Sequence, residues 1–333
     1  MAIYEEVEPE VWVMLGQALT GNSSNDDEER FGGSIALSDD GSVLAVGAVM
    51  GEGPNGTDNG YLKVFALESV MSGANNSTGL NSSYMYSEMN EWKQKGKTVY
   101  GENPGDFFGW SLAMSASGSR ILVGGVGNQG EVGEFAGHAR AFDFDEDSMD
   151  WVQAGQSIPG LASFDSFGSS VAMSKDGGIV AIGAIGHSDD NDGVDIGHVR
   201  VFRFGTDDPL APNTEATWHS LGQTLTGQSA FDSFGYSISL SQDGKTLAVG
   251  APRNDEFAES SGHVQIFELE EATNSWTRRG STIGGSFEGR DLFGWSVALS
   301  ANGSRVVGGA PFYTFDGRVN DVGSVKVYDA LET

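Results

Sequence analysis

Cysteine is absent from the 333 residues, which removes disulfide bridges, thiolate nucleophiles and Cys-ligated metal from consideration. Basic residues are scarce: 18 Lys and Arg stand against 47 Asp and Glu, a formal net charge of −29. A surface of that sign repels phosphate backbones and anionic headgroups, so neither nucleic acid nor a membrane surface is an expected partner. Divalent cations, cationic proteins and neutral glycans stay open, as does a purely solubilising role for the charge. No apolar run approaches the ~20 residues needed to span a bilayer. Met1–Glu8 lacks the basic and apolar regions of a secretory signal, as an intracellular scaffold would. Nor is there a nucleophile–His–acid spacing, a phosphate loop or a His-Glu-x-x-His segment, so catalysis has no anchor in a motif.

What the chain does have is glycine, 49 residues of it, with 38% hydrophobic and 10% aromatic content, enough for a real core. The glycines recur in phase. A Phe-Gly pair followed two residues later by Ser appears at Phe31, Phe108, Phe167, Phe234 and Phe293. Each copy runs through an alternating stretch to Ser38, Ser115, Ser174, Ser241 or Ser300. A turn follows, at Gly41, Gly118, Gly177, Gly244 or Gly303, and then a short apolar stretch such as Val43–Val46 or Thr246–Val249. Two β-forming stretches joined by a Gly turn read as a hairpin.

A third strand opens at Gly60, Gly137, Gly197, Gly262 or Gly323 and ends on Phe65, Phe142, Phe202, Phe267 or Tyr328, 33–35 residues after the Phe of its repeat. It alternates polar and apolar, the period of a half-exposed strand. A fourth element, marked by Trp12, Trp92, Trp151, Trp218 or Trp276 with a Gly four residues on, precedes each Phe-Gly by 16–19 residues. The expected fold is therefore all-β: one domain over residues 1–333, a five-bladed β-propeller with four antiparallel strands per blade. The chain opens on a Trp strand and closes on a third strand. Insertion of the Trp12 strand beside the strand holding Tyr328 would close the ring and remove an exposed edge. Length varies most between third and fourth strands. Ala66–Glu91, rich in Ser, Asn, Gly and Met, is expected to be a long surface loop.

These residues resemble the FG-GAP repeats of the integrin α-subunit propeller, whose markers are Phe-Gly on one strand and Gly-Ala-Pro on the next. Gly250-Ala251-Pro252 and Gly309-Ala310-Pro311 match; Gly47-Ala48 and Gly183-Ala184 lack the Pro, and Gly124-Gly125 departs further. The resemblance implies a calcium loop in the first hairpin of several repeats. Here that hairpin carries one or two carboxylates at most, as in Ser38-Asp39-Asp40-Gly41. That is too few for a cation that takes 6–8 oxygens.

Several residues are candidates for a site. An acid stands two residues before each repeat Phe: Glu29, Asp106, Asp165, Asp232 and Asp291. In a ring these carboxylates would share one level, as a cation site or electrostatic funnel; alternatively each caps its own turn. Trp110, Tyr236 and Trp295 follow their Phe-Gly pairs and could stack on sugar rings or pack between blades. His138, His198 and His263 share one repeat position and read as structural. Asp190, Asp192 and Asp195, and separately Asp143, Asp145 and Asp147, alternate as calcium ligands would, or form solvated acidic loops. Sequons at Asn22, Asn55, Asn75, Asn76, Asn81 and Asn302 suit a secreted or cell-surface protein.

The function expected from these features is a non-catalytic recognition or adhesion module. It would bind a protein or glycan ligand through loops at one end of the propeller, with Ca2+ assisting. The alternatives are a glycoside hydrolase using Asp106, Asp165 and Asp232 at the channel mouth, or an intracellular scaffold.

Overall fold

The computed structural model describes residues 1–9, 11–22, 28–74, 85–130, 132–186, 195–206, 215–287, 289–314 and 321–330. Among these there is no helix: the chain is a two-stranded N-terminal hairpin followed by five antiparallel sheets in series. Among the described residues no helix is long and apolar enough to cross a membrane.

Each sheet follows the repeat. In the second, Phe108–Met114, Arg120–Gly125, His138–Asp145 and Asp150–Gln153 pair in sequence order, and Ile158–Pro159 joins the third strand alongside the fourth. The first, third and fourth sheets repeat this plan from Phe31, Phe167 and Ser237. The fifth has three strands, Ser296–Leu299, Arg305–Ala310 and Ser324–Asp329.

The Phe-Gly-x-Ser marker has a backbone origin. Phe108 pairs with Gly125 and Ser111 with Gly124, so the first strand bulges between them. The bulge places Gly109 at φ +90°, and Gly32, Gly168, Gly235 and Gly294 lie within 2° of that value, a conformation strained for side chains with a Cβ. The Ser then reaches across to the next sheet. Ser34 Oγ donates to Gly109 O (2.5 Å), Ser111 to Gly168 (2.7 Å), Ser170 to Gly235 (2.6 Å) and Ser237 to Gly294 (2.8 Å). One motif thus makes the bulge and joins neighbouring sheets.

Two further devices join the same neighbours. The hairpin turns form a backbone chain in which Asp39 N donates to Ala116 O, Ala116 N to Lys175 O, Lys175 N to Gln242 O and Gln242 N to Ala301 O. Each interior Trp docks on the segment after the Trp of the previous repeat: Trp151 Nε1 donates to Lys95 O (2.8 Å), Trp218 to Ala154 O (2.8 Å) and Trp276 to Leu221 O (2.9 Å). The rings lie over Gly96, Gly155 and Gly222, where a Cβ would fall 2.7–3.0 Å from the indole. The apolar core lies between sheets: Ala45, Leu62 and Val64 of the first meet Phe108, Val123 and Trp151 of the second. Equivalent clusters join second to third and third to fourth.

Two expectations are corrected. The Trp12 strand does not complete the sheet holding Tyr328. Val11–Met14 pairs instead with Tyr4–Glu8, with Trp12 opposite Glu6 and Tyr4 opposite Met14. Met1, Ile3 and Tyr4 carry the apolar alternation of Val325, Val327 and Tyr328. They lie only a short turn from Trp12, so the local pairing closes a far smaller loop. The segment from Ala66 to Glu91 is not a loop throughout: Tyr61–Ala74 pairs with Met85–Gln94 as an extended hairpin arm.

Candidate functional site

The five acids before the Phe-Gly pairs occupy turn interiors. Asp106, Asp165 and Asp291 are fully buried and Asp232 nearly so. Asp106 Oδ2 accepts the backbone N–H of Glu102 (2.6 Å) and Asn103 (2.9 Å). Asp165 accepts from Leu161 and Ala162, Asp232 from Gln228 and Ser229, and Asp291 from Ser286. Asn128 donates to the second oxygen of Asp106 and Asn254 to that of Asp232. Burial pushes the Asp106 carboxyl up, opposed by its backbone and Asn128 hydrogen bonds. In the first repeat Glu29 accepts from Asn22 N and from Tyr61 Oη (2.9 Å). These groups cap turns, the second of the two roles the sequence offered.

Two of the calcium candidates, Asp143 and Asp145, are engaged locally. Asp143 forms a two-pronged pair with Arg120 (2.5 and 2.6 Å), and Asp145 caps the turn through the N–H groups of Asp147 and Ser148. Asp190 and Asp192 lie outside the described residues. Among the described ones, no three His, Asp or Glu side chains converge as metal ligands. In the first hairpin the acid has a turn role: Asp40 accepts from Ser38 and Ser42, which holds its carboxyl down at about 2. Of the sequons, Asn22 Oδ1 accepts from Lys63, Asn55 Nδ2 donates to Gly101 O (2.9 Å), and Asn302 uses its Oδ1 within a hairpin turn. Asn75, Asn76 and Asn81 fall outside the described residues.

His138 and His263 are buried on the third strands, His138 edge-on to Phe108. Burial lowers both, His138 to about 3. The His138 ring needs Gly125 beside it, since a Cβ there would lie 2.8 Å from Nε2. Sequence reasoning missed the residue two positions on. Lys63, Arg140, Arg200 and Lys326 each lie over the Phe of their Phe-Gly marker, with Arg140 4.3 Å from the Phe108 centroid. The signal was present: four of five repeats place a cation there in a chain with only 18.

A surface with free chemistry lies where the second-to-third and fourth-to-first connections meet. Phe135 and Phe164 stack at 6.1 Å and 17°, both exposed and both at positive φ. With Ser166, Asp195, Tyr236 and Arg253 they line a hollow of about 440 Å³. Of the aromatic candidates, Tyr236 joins this hollow and packs on Trp295 (4.7 Å), which meets Phe312 at 6.3 Å. Trp295 and Trp110 stay exposed. The position therefore serves both sheet packing and surface. Burial pushes the Tyr236 hydroxyl up, opposed by the Arg253 charge.

No curated protein matches the sequence. Among solved structures, the chain is similar to Kuenenia stuttgartiensis hydrazine synthase at 13% identity and a TM-score of 0.41, over 94% of this chain and 99% of that one. Residues 224–267 match the FG-GAP repeat family. They span the Phe-Gly strand, hairpin and third strand of the fourth sheet, so the chain carries an FG-GAP repeat whose markers recur in the other four sheets.

Proposed function

We propose that the protein is a recognition module that binds a protein or glycan ligand at the end of the sheets where Phe135, Phe164 and Tyr236 meet. The observation that carries this reading is the exposed, stacked Phe135–Phe164 pair. Phe164 and Phe231 hold the same repeat position at φ +65°, a conformation that disfavours bulky residues. Large rings held in that conformation and turned to solvent suit a ligand surface better than a core. Arg253 and Asp195 edge the hollow and supply a charged donor and acceptor, while the rings offer apolar faces for a sugar or an aromatic side chain. A cell-surface location and assistance by Ca2+ belong to the same proposal.

Glycan-array and pull-down screens of the chain, with and without calcium, test it. Binding is expected, and is expected to fall at least tenfold in Phe164→Ala and Arg253→Ala, about 1.4 kcal/mol or more. A ligand held equally well by both variants, or no ligand in either screen, would sink the reading.

A further inference from the structure

Four seams join the five sheets through the same serine-to-glycine and turn-to-turn bonds, three of them also through a docked indole, and the two ends of the series hold the unused halves of a fifth. On the last sheet, Val325 and Val327 are 70% and 59% exposed, whereas the equivalent Leu62 and Val64 of the first sheet are 0% and 1%. Gly280 stands where Gly96, Gly155 and Gly222 each lie under an indole, yet a Cβ there would meet nothing within 4 Å. Beside it opens a socket of about 630 Å³ lined by Ile266, Gly280, Ile283, Leu299, Val306 and Tyr328.

At the other end, every residue of Val11–Met14 is exposed, Trp12 at 62%. Its partner strand, Tyr4–Glu8, places Glu6 opposite Trp12, where the other repeats place Leu67, Phe144, Phe204 and Leu269. The segment after Trp12 already behaves as the end of a preceding sheet: Trp92 Nε1 donates to Leu15 O (3.0 Å), and Gln17 exchanges two hydrogen bonds with the Trp92 backbone.

We propose that the open face of the fifth sheet is an interaction surface for a second copy of this chain. The second copy inserts its Val11–Met14 strand beside Ser324–Asp329 and its Trp12 ring over Gly280. The register follows from the other sheets. The carbonyl of Ser304 accepts from Ala330 as that of Ser119 does from Phe144, so Ala330 falls opposite Trp12 and Tyr328 opposite Met14. Tyr4–Glu8 leaves the edge that Ser324–Asp329 takes, replacing a glutamate across from the indole with a methyl group.

The four existing seams say why the partner is another copy. They share the serine-to-glycine and turn-to-turn bonds, and so one geometry. Were that geometry to close a ring in five steps, the fifth sheet would already cover its own Val325 and Val327 with the first. The first sheet instead packs its Leu44 and Val46 against Met1 and Ile3, and a second copy offers the Val11–Met14 strand in the register the other sheets use. The contact joins unlike surfaces, so it propagates head to tail.

Light scattering and sedimentation of the chain over about a hundredfold range of concentration test this. The average mass is expected to rise above 35.1 kDa with concentration. Trp12→Ala and Val325→Glu alter exposed side chains on opposite halves of the contact; each alone should stay monomeric, with the circular dichroism and Tm that the unsubstituted chain shows at its monomeric dilution. An equimolar mixture of the two should form dimers and stop there, because only one intact pair of surfaces remains. A chain that stays monomeric at every concentration, with or without its own ends joined, overturns the proposal. So does association that survives both substitutions.

Discussion

Trp12 and Trp218 hold the same place in their repeats, yet the first is 62% exposed and the second 3%. Nothing in their immediate sequence separates them; each sits on a short β-strand with a Gly four residues on. The difference is the neighbour. Trp218 has Ala154 O for its Nε1 and Phe204 at 4.9 Å, whereas Trp12 stands beside Glu6. The same contrast separates Gly109 from Gly32 and Val64 from Val327. In a serial array, burial belongs to the seam between units rather than to the unit.

The largest expected effect sharpens this contrast. Trp218→Ala should destabilise by about 3–5 kcal/mol, the usual loss for a buried indole, and Trp12→Ala by under about 0.5 kcal/mol. Guanidinium unfolding of both variants measures it. Equal losses would mean that Trp12 is packed and that the ends do not differ from the interior. Next comes the Phe-Gly bulge. Gly109→Ala and Gly32→Ala share the strain of φ +90°, roughly 1–2 kcal/mol. At Gly109 the new methyl would also meet Tyr61 O at 2.8 Å and Gly47 Cα at 3.2 Å, while at Gly32 nothing lies within 4 Å. The interior variant should therefore lose about 1–3 kcal/mol more, as overpacking does.

The smallest effect is titration. His138, His198 and His263 lie in the second to fourth sheets, and the end sheets carry Tyr61 and Ser324 instead. A His lowered to about 3 in the fold binds its proton more readily when unfolded, where it titrates near 6.5. Its neutral form is free of cost above that pH, and stability falls as pH drops from about 6.5 towards 3. For His138 this is about 2 kcal/mol between pH 7 and 5. Thermal melts across that range should show the drop, and His138→Gln should reduce it. An unchanged slope in the variant would place the pH sensitivity elsewhere.

How much was legible follows the same division. Strands, turns and the order of parts were readable because Phe-Gly, the turn glycines and the Trp each meet a local backbone demand repeated five times. The turn-capping acids were readable as one of two roles, since an acid at a fixed offset from a turn is a local signal. The partner of the Trp12 strand was not readable. Choosing between Tyr4–Glu8 and Ser324–Asp329 depends on the angle accumulated over four seams, which no single repeat encodes. The Phe135–Phe164 surface escaped for a related reason. Phe135 lies in a connection outside the markers, and the Phe164 position recurs as Phe only at Phe231, with Glu28, Gly105 and Arg290 in the other copies, which was too thin a period to announce them.

The serine-to-glycine bonds across the seams have a consequence for how such a chain can change. Donor and acceptor are both contained in Phe-Gly-x-Ser: the three interior copies each give one bond forward and receive one from behind, while the first gives one and the last receives one. A tandem duplication of one unit would arrive with both halves of its attachments in place. Gene-level gain or loss of whole repeats is therefore structurally mild, while a shift of a few residues inside a unit breaks two junctions at once.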